Sequence, residues 1–92
     1  MVKGIERREK RYVEVIADFS PEGILTPLEI IWEDGRHFGI DRVVERRRAA
    51  SMKVGGYGTR YTVFICGQPR HLWYTGTTWY VEAIVPNGPT AL

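Results

Sequence analysis

The sequence predicts an all-β fold: one small antiparallel barrel or strongly bent sheet of five to six strands, the size of an SH3-like or OB-like domain. Three observations predict it. Apolar and polar residues alternate with period two along most of the chain, the pattern of strands with one buried face. Asp34-Gly35 lies between two such stretches and is a strong hairpin signal, because Asp-Gly suits a type I′ turn in which both residues take positive φ. Turn chemistry also recurs at short intervals, at Ser20-Pro21-Glu22-Gly23, Gly67-Gln68-Pro69 and Thr75-Gly76-Thr77, as in a meander that closes on itself.

The elements follow in order. Residues 1–10 read as a charged arm, residues 11–85 as the β domain and residues 86–92 as a tail. In the first strand, from Arg11, Val13, Val15, Ala17 and Phe19 form the apolar face. In the second, Leu25 to Glu33, Leu28, Ile30 and Trp32 point one way. A two-residue Asp34-Gly35 loop would set Glu33 opposite Arg36, Trp32 opposite His37 and Ile31 opposite Phe38. The third strand runs through Ile40 and Val44 towards Arg48. Glu45 to Lys53 leans to strand and loop, although its good helix formers leave a short helix open. Gly55-Gly56-Tyr57-Gly58 reads as a loop. The fourth strand spans Arg60 to Cys66, with Tyr61, Val63 and Ile65 on one face. Leu72 and Tyr74 mark the fifth, and Trp79, Val81, Ala83 and Val85 the sixth.

Composition bounds the function. The chain has 92 residues, 43% of them hydrophobic and 26% charged, enough for one modest core. Trp32, Trp73 and Trp79 read first as bulky core residues. Cys66 is the only cysteine; it cannot form an internal disulfide, and its apolar surroundings predict a buried, slowly reacting thiol. The N-terminus turns charged within a few residues and no apolar run approaches the ~18 residues of a membrane span. The expectation is a cytoplasmic protein without membrane association.

Net charge is +2, but the charge is segregated. Glu14, Asp18, Glu22, Glu29, Glu33 and Asp34 occupy a stretch with no Lys or Arg, and a stretch rich in Arg follows it. Either the two pair across the sheet, which is the favoured expectation, or they lie apart and the basic one attracts a polyanion. Arg42, Arg46, Arg47, Arg48, Lys53 and Arg60, interleaved with Tyr57 and Tyr61, are the candidate nucleic-acid-binding residues: guanidinium on phosphate, ring on base.

Nothing marks catalysis. His37 and His71 have no metal-ligand spacing, Ser20 and Ser51 lack an activating base, and Asp41 suits a salt bridge or turn bond. The glycines at 55, 56 and 58 lack the Gly-Lys-Ser/Thr ending of a phosphate loop. No catalytic residue, metal or cofactor is assigned.

Ile30-Ile31-Trp32-Glu33-Asp34-Gly35-Arg36, then Ile40-Asp41-Arg42-Val43, Arg48-Ala49-Ala50-Ser51, Gly55-Gly56, Arg60-Tyr61-Thr62 and Trp79-Tyr80-Val81-Glu82, resemble an uncharacterised family of small β-rich proteins from clostridia-like Gram-positive bacteria. The resemblance covers roughly residues 11 to 83, and the tail departs from it. That family has no assigned function, so the resemblance implies no site residues. The expectation is a non-enzymatic β-barrel adaptor that binds a protein partner or pairs with itself as a homodimer, with single-stranded nucleic acid as the alternative ligand.

Overall fold

Period-two alternation does produce strands throughout. The computed structural model describes residues 8–50 and 57–84, in which β1 (Arg8–Phe19), β2 (Leu25–Ile31), β3 (His37–Gly39), β4 (Arg42–Ala50), β5 (Tyr57–Ile65), β6 (Gln68–Tyr74) and β7 (Trp79–Ile84) form one antiparallel sheet. The order across it is β3-β2-β1-β7-β6-β5-β4. β1 begins three residues before the expected Arg11. Its first half pairs with β7 and its second half with β2, the partner changing between Val13 and Glu14. That stagger curls the sheet into an elongated half-barrel of 54 × 27 × 22 Å. Among the described residues no helix is long and apolar enough to cross a membrane.

There are seven strands, not five or six, because the expected third strand is two. At Ile40-Asp41 the chain crosses from one edge of the sheet to the other: the Ile40 N–H donates to Leu28 O (2.9 Å) and the Asp41 N–H to Phe64 O (2.7 Å). β3 and β4 are therefore the two sheet edges, joined at the point where the half-barrel comes nearest to closing. The stretch Glu45–Ala50 is strand rather than helix. Tyr57 and Gly58, expected in a loop, open β5. Tyr57 is described by its backbone, and Lys53 lies outside the described residues, as do Gly55 and Gly56.

The Asp34-Gly35 hairpin exists, with a corrected register. Ile30 faces Phe38 and Ile31 faces His37. The Gly35 N–H donates to Trp32 O and the Trp32 N–H to Arg36 O, both at 2.8 Å, so the loop has three residues, Glu33-Asp34-Gly35. Gly35 alone takes positive φ (90°), as in a type I turn closed by a glycine bulge. Glu33 thus does not face Arg36. Instead Asp34 accepts from the Arg36 backbone N–H (3.0 Å) and from its guanidinium (2.6 Å), and these bonds lower the Asp34 pKa, the backbone one most. This register keeps Ile30, Trp32 and Phe38 together on the core side, and the hydrophobic pattern selects it over the shorter loop.

The two-residue loop lies elsewhere. Ile65 pairs with Gln68, leaving Cys66 (φ 52°) and Gly67 (φ 76°) as the hairpin tip, the positive-φ pair a type I′ turn needs. Cys66 is consequently exposed, not buried as expected. A left-handed conformation is unfavourable for most L-residues and better tolerated by Asn. Cys66→Asn is expected to stabilise the fold by about 0.5–1 kcal/mol, read as a rise in the urea midpoint; a fall would contradict the turn assignment.

Two bulges redirect side chains. Ile16 pairs with Glu29 and Ala17 with Pro27, so Leu28 is skipped. Pro27, which has no N–H for the ladder, is buried, and Leu28 is 49% exposed rather than on the core face with Ile30. Likewise Val44 is skipped between Val43 and Glu45 and is exposed. Phe19, expected on the apolar face of β1, is 69% exposed at its end.

The concave face of the sheet holds the core: Ile30, Trp32, Tyr61, Val63, Ile65, Leu72 and Val81. On the other face Trp73 and Tyr80 are buried and stack with rings parallel, centroids 5.8 Å apart, while Lys10 Nζ lies 5.0 Å from the Tyr80 ring centre. Gly58 is a packing requirement. A Cβ there would sit 2.7 Å from the Tyr74 carbonyl oxygen, so β5 and β6 would have to part. Gly58→Ala is expected to destabilise by about 1–3 kcal/mol, lowering the melting temperature by roughly 4–8 °C per kcal/mol; an unchanged midpoint would contradict this contact.

Candidate interaction site at the free edge of β4

β4 carries four of the candidate arginines, and strand alternation divides them. Residues directly opposite each other across a ladder project to the same side. Arg46 faces Tyr61 and Arg48 faces Thr59, whereas Arg47 faces Arg60 and Arg42 faces Phe64. Arg46 and Arg48 therefore lie on the concave side with buried Tyr61, and Arg42, Arg47 and Arg60 on the convex side. No continuous track runs through Arg46, Arg47, Arg48 and Arg60. The convex arginines have local partners: Arg42 sits 4.4 Å over the Phe64 ring, and Glu45 lies 3.8 Å from Arg47 and 3.4 Å from Arg60.

Among the described residues the expected pairing of acidic with basic stretches is made within the hairpin and between it and Arg11 of β1. Asp34 meets Arg36, Glu29 meets His37 at 2.8 Å, and Glu33 meets Arg11 at 3.8 Å. Among the described residues no ion pair joins the acidic stretch to Arg42, Arg46, Arg47, Arg48 or Arg60. β4 remains a basic element.

It is also an unpaired one. β5 is its one ladder partner among the described residues, so alternate backbone N–H and C=O groups along nine residues face outward. Among the described residues β2 has no strand partner in the same direction over Leu25 to Pro27, since β3 pairs only with Glu29 to Ile31, although the Tyr61 hydroxyl meets Leu25 O there. Between these two stretches lies an open depression of about 450 Å³. It is lined by Phe19, Leu25, Tyr61 and Tyr74 and, from β4, by Arg46, Arg47 and Arg48.

Tyr61 is structural. It is 2% exposed, its hydroxyl donates to Leu25 O at 2.6 Å, and its ring lies 5.5 Å from Trp79. Burial raises its pKa, with a hydrogen bond from Arg46 opposing the rise. It cannot stack on a base without leaving the core, which corrects its candidate role. Phe19 is the ring left available. It was missed because period two placed it inside; the signal was its position directly before Ser20-Pro21, where the strand ends.

Asp41 and His37 are held by local contacts, and Ser51 lies outside the described residues. The Asp41 carboxylate accepts from the Gly67 N–H at 3.4 Å, a bond between turns. His37 bonds Glu29. His71 has its pKa lowered, by burial first and Arg60 second.

No protein-family model matches the chain, and no curated protein or solved structure matches it either.

Proposed function

We propose that this chain is a non-enzymatic binding module that captures an extended acidic peptide segment of a partner protein as an added strand on β4. The observation that carries this is the edge itself: nine residues long, with β5 as its one ladder partner among the described residues, and with four arginines. In strand addition the main-chain bonds supply affinity and the side chains supply selectivity. Carboxylates on the incoming strand meet Arg46 and Arg48 on one side and Arg47 on the other. The like charge of the arginines works against pairing between two β4 edges. It thus favours a foreign acidic strand over the homodimer expected from an open sheet.

The test is fluorescence anisotropy with a labelled octapeptide of alternating Glu and Thr. Binding should be strongest at low salt and weaken as salt screens the arginines. The same peptide with alternate backbone nitrogens methylated keeps its charge but loses the outward N–H groups, and it should not bind. Equal binding of the methylated peptide, or no binding of either, would overturn strand addition.

Single-stranded nucleic acid is the second reading, favoured by exposed Phe19 beside Arg46 and Arg48. A labelled oligothymidylate run in the same assay separates the two. Nucleic-acid binding would show a salt slope that flattens by about one unit for each phosphate-contacting arginine removed. Binding of the oligonucleotide without the peptide would transfer the assignment.

A further inference from the structure

We infer that the depression beside β4 is a specificity pocket for one aromatic side chain of the added strand, so that the segment recognised is an aromatic residue with acidic residues two positions away on each side. The inference rests on the strand-addition reading and goes beyond it by naming the sequence pattern.

The geometry leads there in steps. Side chains facing one side of a strand recur every second residue, about 6.6–6.8 Å apart. On a strand laid antiparallel along β4, the positions opposite Arg46, Arg48 and Ala50 project to the concave side, where the depression lies. That depression holds about 450 Å³, within the range of roughly 300–1,000 Å³ of ligand pockets, and its lining offers the apolar and aromatic side chains of Phe19, Leu25 and Tyr74. Carboxylates alone would leave that apolar lining bare. An aromatic ring opposite Arg48 would cover it and stack under the guanidinium, a contact that Arg favours. Acidic residues opposite Arg46 and Ala50 would then be reached directly by Arg46 and diagonally by Arg48, since diagonal neighbours lie within the span of long side chains. Phe19 faces the site from the β1 end and adds an edge or face to the bound ring.

The experiment compares two labelled peptides, Thr-Glu-Thr-Phe-Thr-Glu-Thr and the same sequence with Ala for Phe, on the wild-type chain and on Phe19→Ala. Phe19 is exposed, so its removal leaves the core intact. The Phe peptide should bind wild type at least about tenfold more tightly than the Ala peptide, the effect of burying one ring. Phe19→Ala should narrow that ratio while hardly changing affinity for the Ala peptide. If both peptides bind wild type equally, the pocket is overturned and strand addition survives. If neither binds, strand addition falls and the pocket with it. A ratio unchanged by Phe19→Ala would also overturn the pocket as described, because Phe19 lines it.

Discussion

Reversing the charge at Arg46 and Arg48 together, to Glu, is expected to abolish capture of the acidic octapeptide while the chain stays folded. Both side chains are exposed on an edge strand, and the one link to the core is the hydrogen bond from Arg46 to Tyr61, whose loss the melting control below reads. An exposed ion pair contributes roughly 0.2–1 kcal/mol. Turning two attractions into two repulsions therefore costs on the order of 1–4 kcal/mol, a loss of about fivefold to several hundredfold. Arg36→Glu changes charge in the same direction at the distant hairpin tip and serves as the control. Anisotropy titration at low salt should show the double variant failing and the control binding normally. Equal loss in both would mean that net charge, not the β4 edge, drives the attraction. Circular dichroism melting of each variant checks that loss of binding is not loss of fold.

Trp32→Ala should have the largest effect on stability. Trp32 is 5% exposed and packs in the concave cluster with Ile30 and Tyr61. Large-to-small substitution of a buried Trp costs about 3–5 kcal/mol. A chain of 92 residues has a net stability of roughly 5–14 kcal/mol at typical per-residue values, so this one change removes a large share of it. The backbone bonds of Trp32 to Arg36 and Gly35 remain possible in the variant, so the loss reports packing alone. Urea denaturation should show a lower midpoint with an unchanged slope. A midpoint near wild type would mean that the half-barrel does not depend on this corner of the core.

The all-β class was legible because period-two alternation is a direct consequence of strand geometry, and it recurs in β1, β5 and β7. The strand number was not legible, because the chain crosses at Ile40-Asp41 with only the single Gly39 before it, which by itself does not distinguish a crossing from a continuing strand. Two hydrogen bonds, one to β2 and one to β5 at opposite ends of the sheet, make that crossing, and neither Leu28 nor Phe64 is near it in sequence. The hairpin register was partly legible. Asp34-Gly35 is compatible with a two- or a three-residue loop, and the choice follows from which face of β2 is buried. The bulge at Leu28 had a visible sign in Pro27, since a proline inside a sheet marks a bulge or an edge. The bulge at Val44 had none.

At the site, the basic character of residues 42–48 was plain, but its division between two faces was obscured by treating the arginines as one run. Neighbours in a strand cannot share a face, so Arg47 separates from Arg46 and Arg48 once the stretch is known to be β4. The depression depends on Phe19 and Leu25 coming beside Arg46 and Arg48 across the mouth of the half-barrel. That is a long-range proximity which no local pattern encodes.

The central claim is strand addition on β4, and residue-resolved amide hydrogen exchange with and without the acidic octapeptide tests it most directly. In the free chain, amides in Glu45–Ala50 that face β5 should be protected and the alternate ones should exchange quickly. On saturation with the peptide, those alternate amides should become protected, while amides of the Glu33-Asp34-Gly35 loop stay as they were. A bound peptide that leaves the outward amides of β4 exchanging at their free rates would contradict the account.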